Sequence, residues 1–252
     1  MNRSTVNKLL LAVIPLAALT ACGDSGVANV IGTAEPQVRL AQVSPAESTV
    51  TLQRNGVNRN EATNVPFRTI TNYFNTDNNN ATYDVRGTRG SVGTVPIDAQ
   101  RGHKYTIFAV AETTGATSLA VLDDPTNQGV INDQARVRAF NASANAQSVD
   151  IYTIGLQQTI DSLQPDLKAV GFKQSSPGDG KDALNRRGGD YKIVVTTAGT
   201  KNVLTQGRYT LRENQNVLFV TVPVIAPGTT NVTGLNLLVK QGDDATAALL
   251  PL

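Results

Sequence analysis

Side chains that small exported folds and catalysts often depend on are scarce in this chain of 252 residues. It has one cysteine, one histidine, one methionine and no tryptophan, with six tyrosines and six phenylalanines. One cysteine cannot form a disulfide within the chain, so each folded unit has to be held by burial alone, even in an oxidising compartment. One histidine rules out histidine-rich metal spacing, and no His/Cys/Asp/Glu group is spaced like a zinc site. His103 follows Gly102 at an expected hairpin tip and reads as turn surface. A nucleophile needs a base within hydrogen-bond reach, and the sequence offers no such pair. No catalytic residue, metal ligand or cofactor is therefore assigned. The missing tryptophan and few other aromatics also weaken a sugar-stacking groove.

Neither sign of charge dominates. The chain holds 22 basic and 20 acidic residues, and two of the basic ones, Arg3 and Lys8, fall within the first eight positions. Without them the two signs are at parity. A neutral chain lacks the basic surplus that binding to a phosphate backbone requires, so nucleic acid is not an expected partner. No run of like charges forms an interaction tail.

The longest apolar run lies at the start. Arg3 and Lys8 precede the apolar stretch Leu9 to Leu19, followed at once by Leu19-Thr20-Ala21-Cys22. A positive start, an apolar stretch of roughly 7–15 residues and small residues at the cut are the marks of an export signal. The stretch is shorter than the roughly 20 residues of a permanent spanning helix. The only cysteine lies in register with the lipobox pattern Leu-Thr-Ala-Cys, which predicts cleavage between Ala21 and Cys22 and acylation of Cys22 by diacylglycerol and palmitate-type chains. The expected organisation is a lipoprotein signal peptide over 1–21 and a lipidated tether over 22–36. Its flexible part of about 14 residues would reach roughly 20 Å. The partner implied is the membrane, and the expected location is the cell envelope, lipid-anchored. In a host with two membranes, Gly23 after the cysteine favours the outer membrane, at its periplasmic face or the cell surface.

The remainder contains an internal repeat. Val38-Arg39-Leu40-Ala41-Gln42-Val43-Ser44 is echoed by Val137-Arg138-Ala139-Phe140-Asn141-Ala142-Ser143, and Val50 and Leu52 by Val149 and Ile151. Tyr105 to Val110 then matches Val217 to Val222, and Leu119 to Leu122 matches Leu235 to Leu238. A unit this long is a whole domain rather than a solenoid repeat. Two related domains are expected over 37–126 and 134–241, with a C-terminal tail over 242–252. Alternating and β-branched runs predict strands at 38–43, 49–54, 67–74, 82–86, 93–97, 104–111 and 117–122. The second copy yields 136–142, 148–154, 166–173, 191–198, 202–205, 216–225 and 233–240. Asn55-Gly56, Arg101-Gly102, Arg187-Gly188-Gly189 and Pro227-Gly228 supply turn chemistry between them. The expected fold class is all-β: two tandem immunoglobulin-like, Greek-key β-sandwiches. Val38, Val50, Leu52, Ile107, Phe108, Leu119 and Val121 should fill the first core. Val137, Val149, Ile151, Ile193, Val195, Leu218, Val220 and Leu237 should fill the second.

The repeated opening resembles a bacterial family known as domain of unknown function 4397, whose copies begin with a strand like Val-Arg-Val-Val-His-Ala-Ser-Pro and continue to Val-Asp-Val-Tyr. The matching residues are Val38-Arg39, Ser44-Pro45 and Val50 in the first copy, and Val137-Arg138, Ala142-Ser143 and Val149-Asp150-Ile151-Tyr152 in the second. The resemblance implies envelope or extracellular sandwich proteins, often in tandem and often lipoproteins. The histidine of the family pattern is replaced by Gln42 and Asn141, so no role of that histidine carries over.

Binding loops are sought where polar groups gather. Asp77 and Asn79 in the Asn-rich loop, and Asp179 and Asp182 in the long segment 173–189, present oxygens without the twelve-residue calcium-loop pattern. Arg186 and Arg187 offer guanidinium forks suited to a carboxylate or phosphate. Asp123-Asp124 and Asp243-Asp244 stand at the ends of the last strands of the two copies. The reading is a membrane-anchored, non-enzymatic envelope lipoprotein whose sandwiches bind a protein or glycan partner or act as a spacer. The alternatives are an envelope hydrolase or its accessory domain, and a solute-binding lipoprotein.

Overall fold

The computed structural model describes residues 34–125, 133–225, 232–242 and 246–251. The expected signal peptide, the Ala21–Cys22 site, the tether up to residue 33, the turn at Pro227-Gly228 and the pair Asp243-Asp244 lie outside the described residues.

Strands are nearly all of the regular structure among the described residues, with one short helical turn at Asn60–Ala62. The first half contains β1 (Gln37–Gln42), β2 (Thr49–Arg54), β3 (Val57–Asn58), β4 (Val65–Pro66), β5 (Thr69–Ile70), β6 (Phe74–Asn75), β7 (Asn80–Gly87), β8 (Gly90–Asp98), β9 (His103–Ala111) and β10 (Thr117–Pro125). One sheet runs β10-β9-β1-β5, with β6 also on β1; the other runs β3-β2-β7-β8, with β4 on β2. The second half contains β11 (Gln134–Asn141), β12 (Ser148–Ile154), β13 (Leu167–Gly171), β14 (Ser175–Ser176), β15 (Leu184–Arg187), β16 (Gly189–Thr197), β17 (Val203–Leu211), β18 (Asn216–Ile225), β19 (Val232–Gln241) and β20 (Ala248–Leu249). Its sheets run β14-β11-β18-β19-β20, with β15 on β11, and β13-β12-β16-β17. The chain is therefore all-β, with two immunoglobulin-like sandwiches.

The two halves share one strand plan. In each, the first strand pairs in parallel with the penultimate long one, Leu40 opposite Ile107 in β1 and β9, and Ala139 opposite Phe219 in β11 and β18. Ala109 then faces Leu119, and Thr221 faces Leu237. Leu119 thus corresponds to Leu237, two residues beyond the partner read from the sequence. A shift of two leaves the same side chains on the same face.

The single strand expected at 67–74 is instead a crossing between sheets. β4 lies on β2, while β5 and β6 lie on β1. Arg68, at φ 64, turns the chain between them. The second half makes the same crossing from β13 to β14 and β15, with Lys173 at φ 60. The segment 173–189 occupies this crossing and is ordered, because β14 and β15 both hydrogen-bond to β11.

Val38, Leu40, Val50, Leu52, Tyr83 and Ile107 fill the first sandwich, with Leu119 and Val121 packed at its edge. The Tyr83 hydroxyl finds Thr76 Oγ1 at 2.7 Å, so this buried phenol leaves no polar atom unanswered. Val137, Val149, Ile151, Ile193, Val195, Phe219 and Leu237 fill the second. Phe108, Leu218 and Val220 are buried too, but in a third apolar layer outside both sandwiches.

The C-terminal segment docks. β20 pairs with β19, the Leu250 amide donates to Leu237 O at 2.7 Å, and the Leu250 side chain joins the second core. Gly207 permits this approach, since a Cβ there would stand 2.1 Å from Pro251 O and 2.7 Å from Leu250 Cγ. Gly207→Val should lift the tail at a cost of about 1–3 kcal/mol, the scale of an overpacked core site. Urea unfolding would give the loss, and faster amide exchange at Leu250 would locate it.

Candidate functional site at the domain junction

The third apolar layer joins the two sandwiches face to face. Ala41, Val43, Ile70, Phe108, Val110 and Leu122 of the first meet Phe140, Ala142, Leu218, Val220, Val222 and Leu238 of the second. The Phe108 and Phe140 rings stack at 3.7 Å between centroids and 3° between planes. A sheet covered on both faces needs apolar residues on both sides of its strands. This explains the predominantly apolar runs in β9 and β18, buried on both faces, where alternation would otherwise be expected. The molecule is a stack of four sheets, and the junction is its middle.

At one end this junction becomes charged. Arg39 of β1, Lys104 of β9, Arg136 and Arg138 of β11, Lys240 of β19 and Asp124 of β10 line one small cavity with Tyr73. Arg138, 2 % exposed, is held by the crossing segment: Nη1 donates to Pro177 O (2.6 Å) and Gly178 O (3.0 Å), and Nη2 to Asp124 Oδ1 (3.0 Å) and Lys181 O. Gly180 N donates to Asp123 O at 3.1 Å, so the segment bonds to both sandwiches. Arg136 Nη2 donates to Pro125 O at 3.3 Å. Arg39 Nε donates to Thr106 Oγ1 at 2.9 Å, and its guanidinium lies over the Tyr73 ring at 4.2 Å. His103 Nδ1 lies 2.8 Å from Asp123 Oδ1, which ties the hairpin tip to β10. No serine, threonine or cysteine bonds to this imidazole among the described residues.

The opposite end of the junction opens into a cleft of about 290 Å³, near the lower bound of ligand pockets. Its walls come in matching pairs from the two halves: Pro45 and Ala46 against Ala144 and Asn145, and Ala111 and Thr113 against Pro223 and Ile225. The lining is mostly apolar. Glu112 borders it and is ion-paired across the junction to Lys173. The Lys173 ammonium, helped by the Ser118 hydroxyl, holds the Glu112 carboxyl below the usual carboxylate range.

The expected binding-loop residues do not converge. Asp77 and Asn79 are both taken by Arg54, at 2.8 Å and 2.7 Å, which pins their loop to β2. Asp182 is exposed in the crossing segment. Arg186 pairs with Asp166, and Arg187, exposed on β15, accepts the Tyr191 hydroxyl through its carbonyl at 3.1 Å. Asp179 is exposed in the segment near Asp123, with Ser175 Oγ at 3.4 Å. The junction arginines were not singled out from the sequence, although a signal was present. An arginine inside an apolar strand recurs at the same place in both copies, Arg39 and Arg138.

Partial desolvation by the packed segment raises the Asp179 carboxyl above the usual aspartate range. The fold therefore favours the neutral form, and the folded chain keeps a proton that the unfolded chain has released. Between the ordinary aspartate value and the raised one, stability falls as pH rises. Asp179→Asn should melt higher than the parent at neutral pH and no higher below the ordinary aspartate range; thermal melts at the two pH values check this.

Residues 36–152 match a family model described as Domain of unknown function (DUF4397), which spans the first sandwich and the first two strands of the second. This match supports the domain family read from the strand openings. No curated protein matches the chain. Among solved structures, one titled for alpha-glucan recognition by family 41 carbohydrate-binding modules from streptococcal virulence factors overlays with a TM-score of 0.25 and 10% identity, covering 74% of this chain and 93% of that one. A second, titled for alpha-glucan binding by a streptococcal virulence factor, gives 0.27 and 9%, with coverage of 74% and 93%. A product complex of a multi-modular glycogen-degrading pneumococcal virulence factor, SpuA, gives 0.25 and 8%, covering 83% of this chain and 27% of that one. Overlays at these TM-scores carry no argument about this chain.

Proposed function

We propose that this chain is a lipid-anchored, non-enzymatic envelope protein whose two fused sandwiches work as one binding module, with the apolar cleft at the junction as its contact surface for an extended segment of an envelope protein. The observation that carries the reading is the cleft itself. Equivalent loops of both halves build its walls, so the site exists only because the sandwiches are joined. Its small apolar side chains and exposed loop backbone suit a peptide. A sugar ring would call for an aromatic face, and no Phe or Tyr side chain is among the described residues that line the cleft. Anchoring rests on Cys22 and the leader that precedes it. Catalysis finds no support among the described residues, where no three His, Cys, Asp or Glu side chains gather to hold a metal and His103 is engaged by Asp123.

Two measurements test this. Intact mass and membrane fractionation should show an acylated, membrane-bound chain that becomes unmodified and released in Cys22→Ala. A partner co-purified with the anchored chain should be lost when Ala111→Trp or Ala144→Trp fills the cleft with folding intact. Retention of the partner in both tryptophan variants would remove the cleft from the proposal. A melting shift with a glycan panel would replace the peptide by a sugar.

A further inference from the structure

We infer that the charged end of the junction holds a chloride-sized anion against Arg39. The comparison that carries this is internal. Arg39 and Arg138 occupy equivalent positions in the two copies, point into the same cavity and are buried to 5 % and 2 % exposure. An arginine stays charged at any physiological pH, so neither can escape burial by losing its proton, and a buried charge requires acceptors or a counter-charge. Arg138 has them: three carbonyls of the crossing segment and the Asp124 carboxylate. Arg39 has the Thr106 hydroxyl at Nε and the face of Tyr73, and no carboxylate within ion-pair distance among the described residues. The first half crosses between its sheets by the short route through Arg68, without the segment that supplies oxygens to Arg138. Arg39 lines the cavity with no such segment beside it.

The size of the cavity selects the occupant. About 20 Å³ is free between Arg39, Tyr73, Arg136 and Arg138, a little more than one water-sized body requires. A monatomic anion fits, while a sugar acid does not. Arg136, Lys104 and Lys240 line the same space, so with Arg39 and Arg138 five cations face the one carboxylate of the lining, Asp124, which accepts from Arg138 at 3.0 Å, and the potential stays positive. An anion there would touch both sandwiches, so its binding would strengthen their union without involving the cleft at the far end.

The test uses the full chain. Sodium chloride is exchanged for sodium gluconate at constant ionic strength, so that screening is unchanged. A saturating rise in melting temperature of about 3–5 °C is expected, the scale of a tenfold excess of anion over its dissociation constant in a protein of this size. The rise should vanish in Arg39→Met and shrink in Thr106→Val, which folds with the arginine present but no longer oriented. Crystals grown in sodium bromide should show an anomalous peak beside the Arg39 guanidinium. Equal melting in chloride and gluconate overturns the inference, as does a chloride effect of full size in both variants. A bromide peak without a saturable melting effect would mean an adventitious ion only, and would overturn it as well.

Discussion

Replacing Phe108 by Asp should split the thermal unfolding of this chain into two calorimetric transitions where the parent gives one. The ring belongs to neither sandwich core; it stacks on Phe140 in the layer between them. Losing it alone costs about 3–5 kcal/mol by the measure of large-to-small core exchanges. A carboxylate in its place adds the burial of a charge, which the layer avoids by opening to water. Each sandwich retains its own interior, so both should still fold, no longer as one cooperative unit. Phe108→Leu is the control, expected to lose about 1 kcal/mol and keep a single transition. A single transition in the aspartate variant at the parent melting temperature would show that the layer does not couple the halves.

The second large effect concerns Asn141, fully buried at the end of β11. Its Nδ2 donates to Ala146 O (2.7 Å) and Val170 O (3.0 Å), and its Oδ1 accepts from Ser143 N (3.1 Å) and Thr221 Oγ1 (2.6 Å). Leucine has nearly the same volume and answers none of these groups. A buried group left without a partner costs about 1–3 kcal/mol, so after relaxation Asn141→Leu should lose about 4 kcal/mol. Gln42 performs the equivalent task in the first half, where Nε2 donates to Ser44 O and Glu47 O and Oε1 accepts from Ser44 N. With fewer groups dependent on it, Gln42→Leu should lose about 3 kcal/mol. Urea unfolding of both variants, with unchanged slopes, would check the order and the size.

These amides show how far local reading extends. They stand where the family pattern has histidine, and their polarity inside an apolar run was plain in the sequence. Their acceptors were not, because Val170 and Thr221 reach Asn141 only after the sheets assemble. The long strands were legible from apolar and β-branched runs, since those patterns are set by the strand's own faces. The crossing at 67–74 was not, because its short pieces depend on which sheet each one joins. Asp77 and Asn79 looked like free oxygens until β7 brought their loop against Arg54. Phe108, Leu218 and Val220 were rightly read as buried, but a hydrophobic pattern states only that a face is covered. It does not say by what.

Two-sided burial of β1 and β11 has a consequence for how these strands find their place. In an ordinary sandwich strand, sliding by one residue turns polar side chains inward, and the penalty enforces alignment. Here Val38 and Leu40 face one interior while Ala41 and Val43 face the other, so oil lies on both sides and a slip is only weakly punished by it. What distinguishes right from wrong alignment is the sparse polar code, Arg39 and Gln42 in one strand and Arg138 and Asn141 in the other. Moved by one residue, each guanidinium would enter a dry sandwich interior and each amide would leave the turn it closes. Buried polar groups are known to select register in this way in coiled coils. By the same logic, the four side chains least suited to an apolar core would be what makes this one unique.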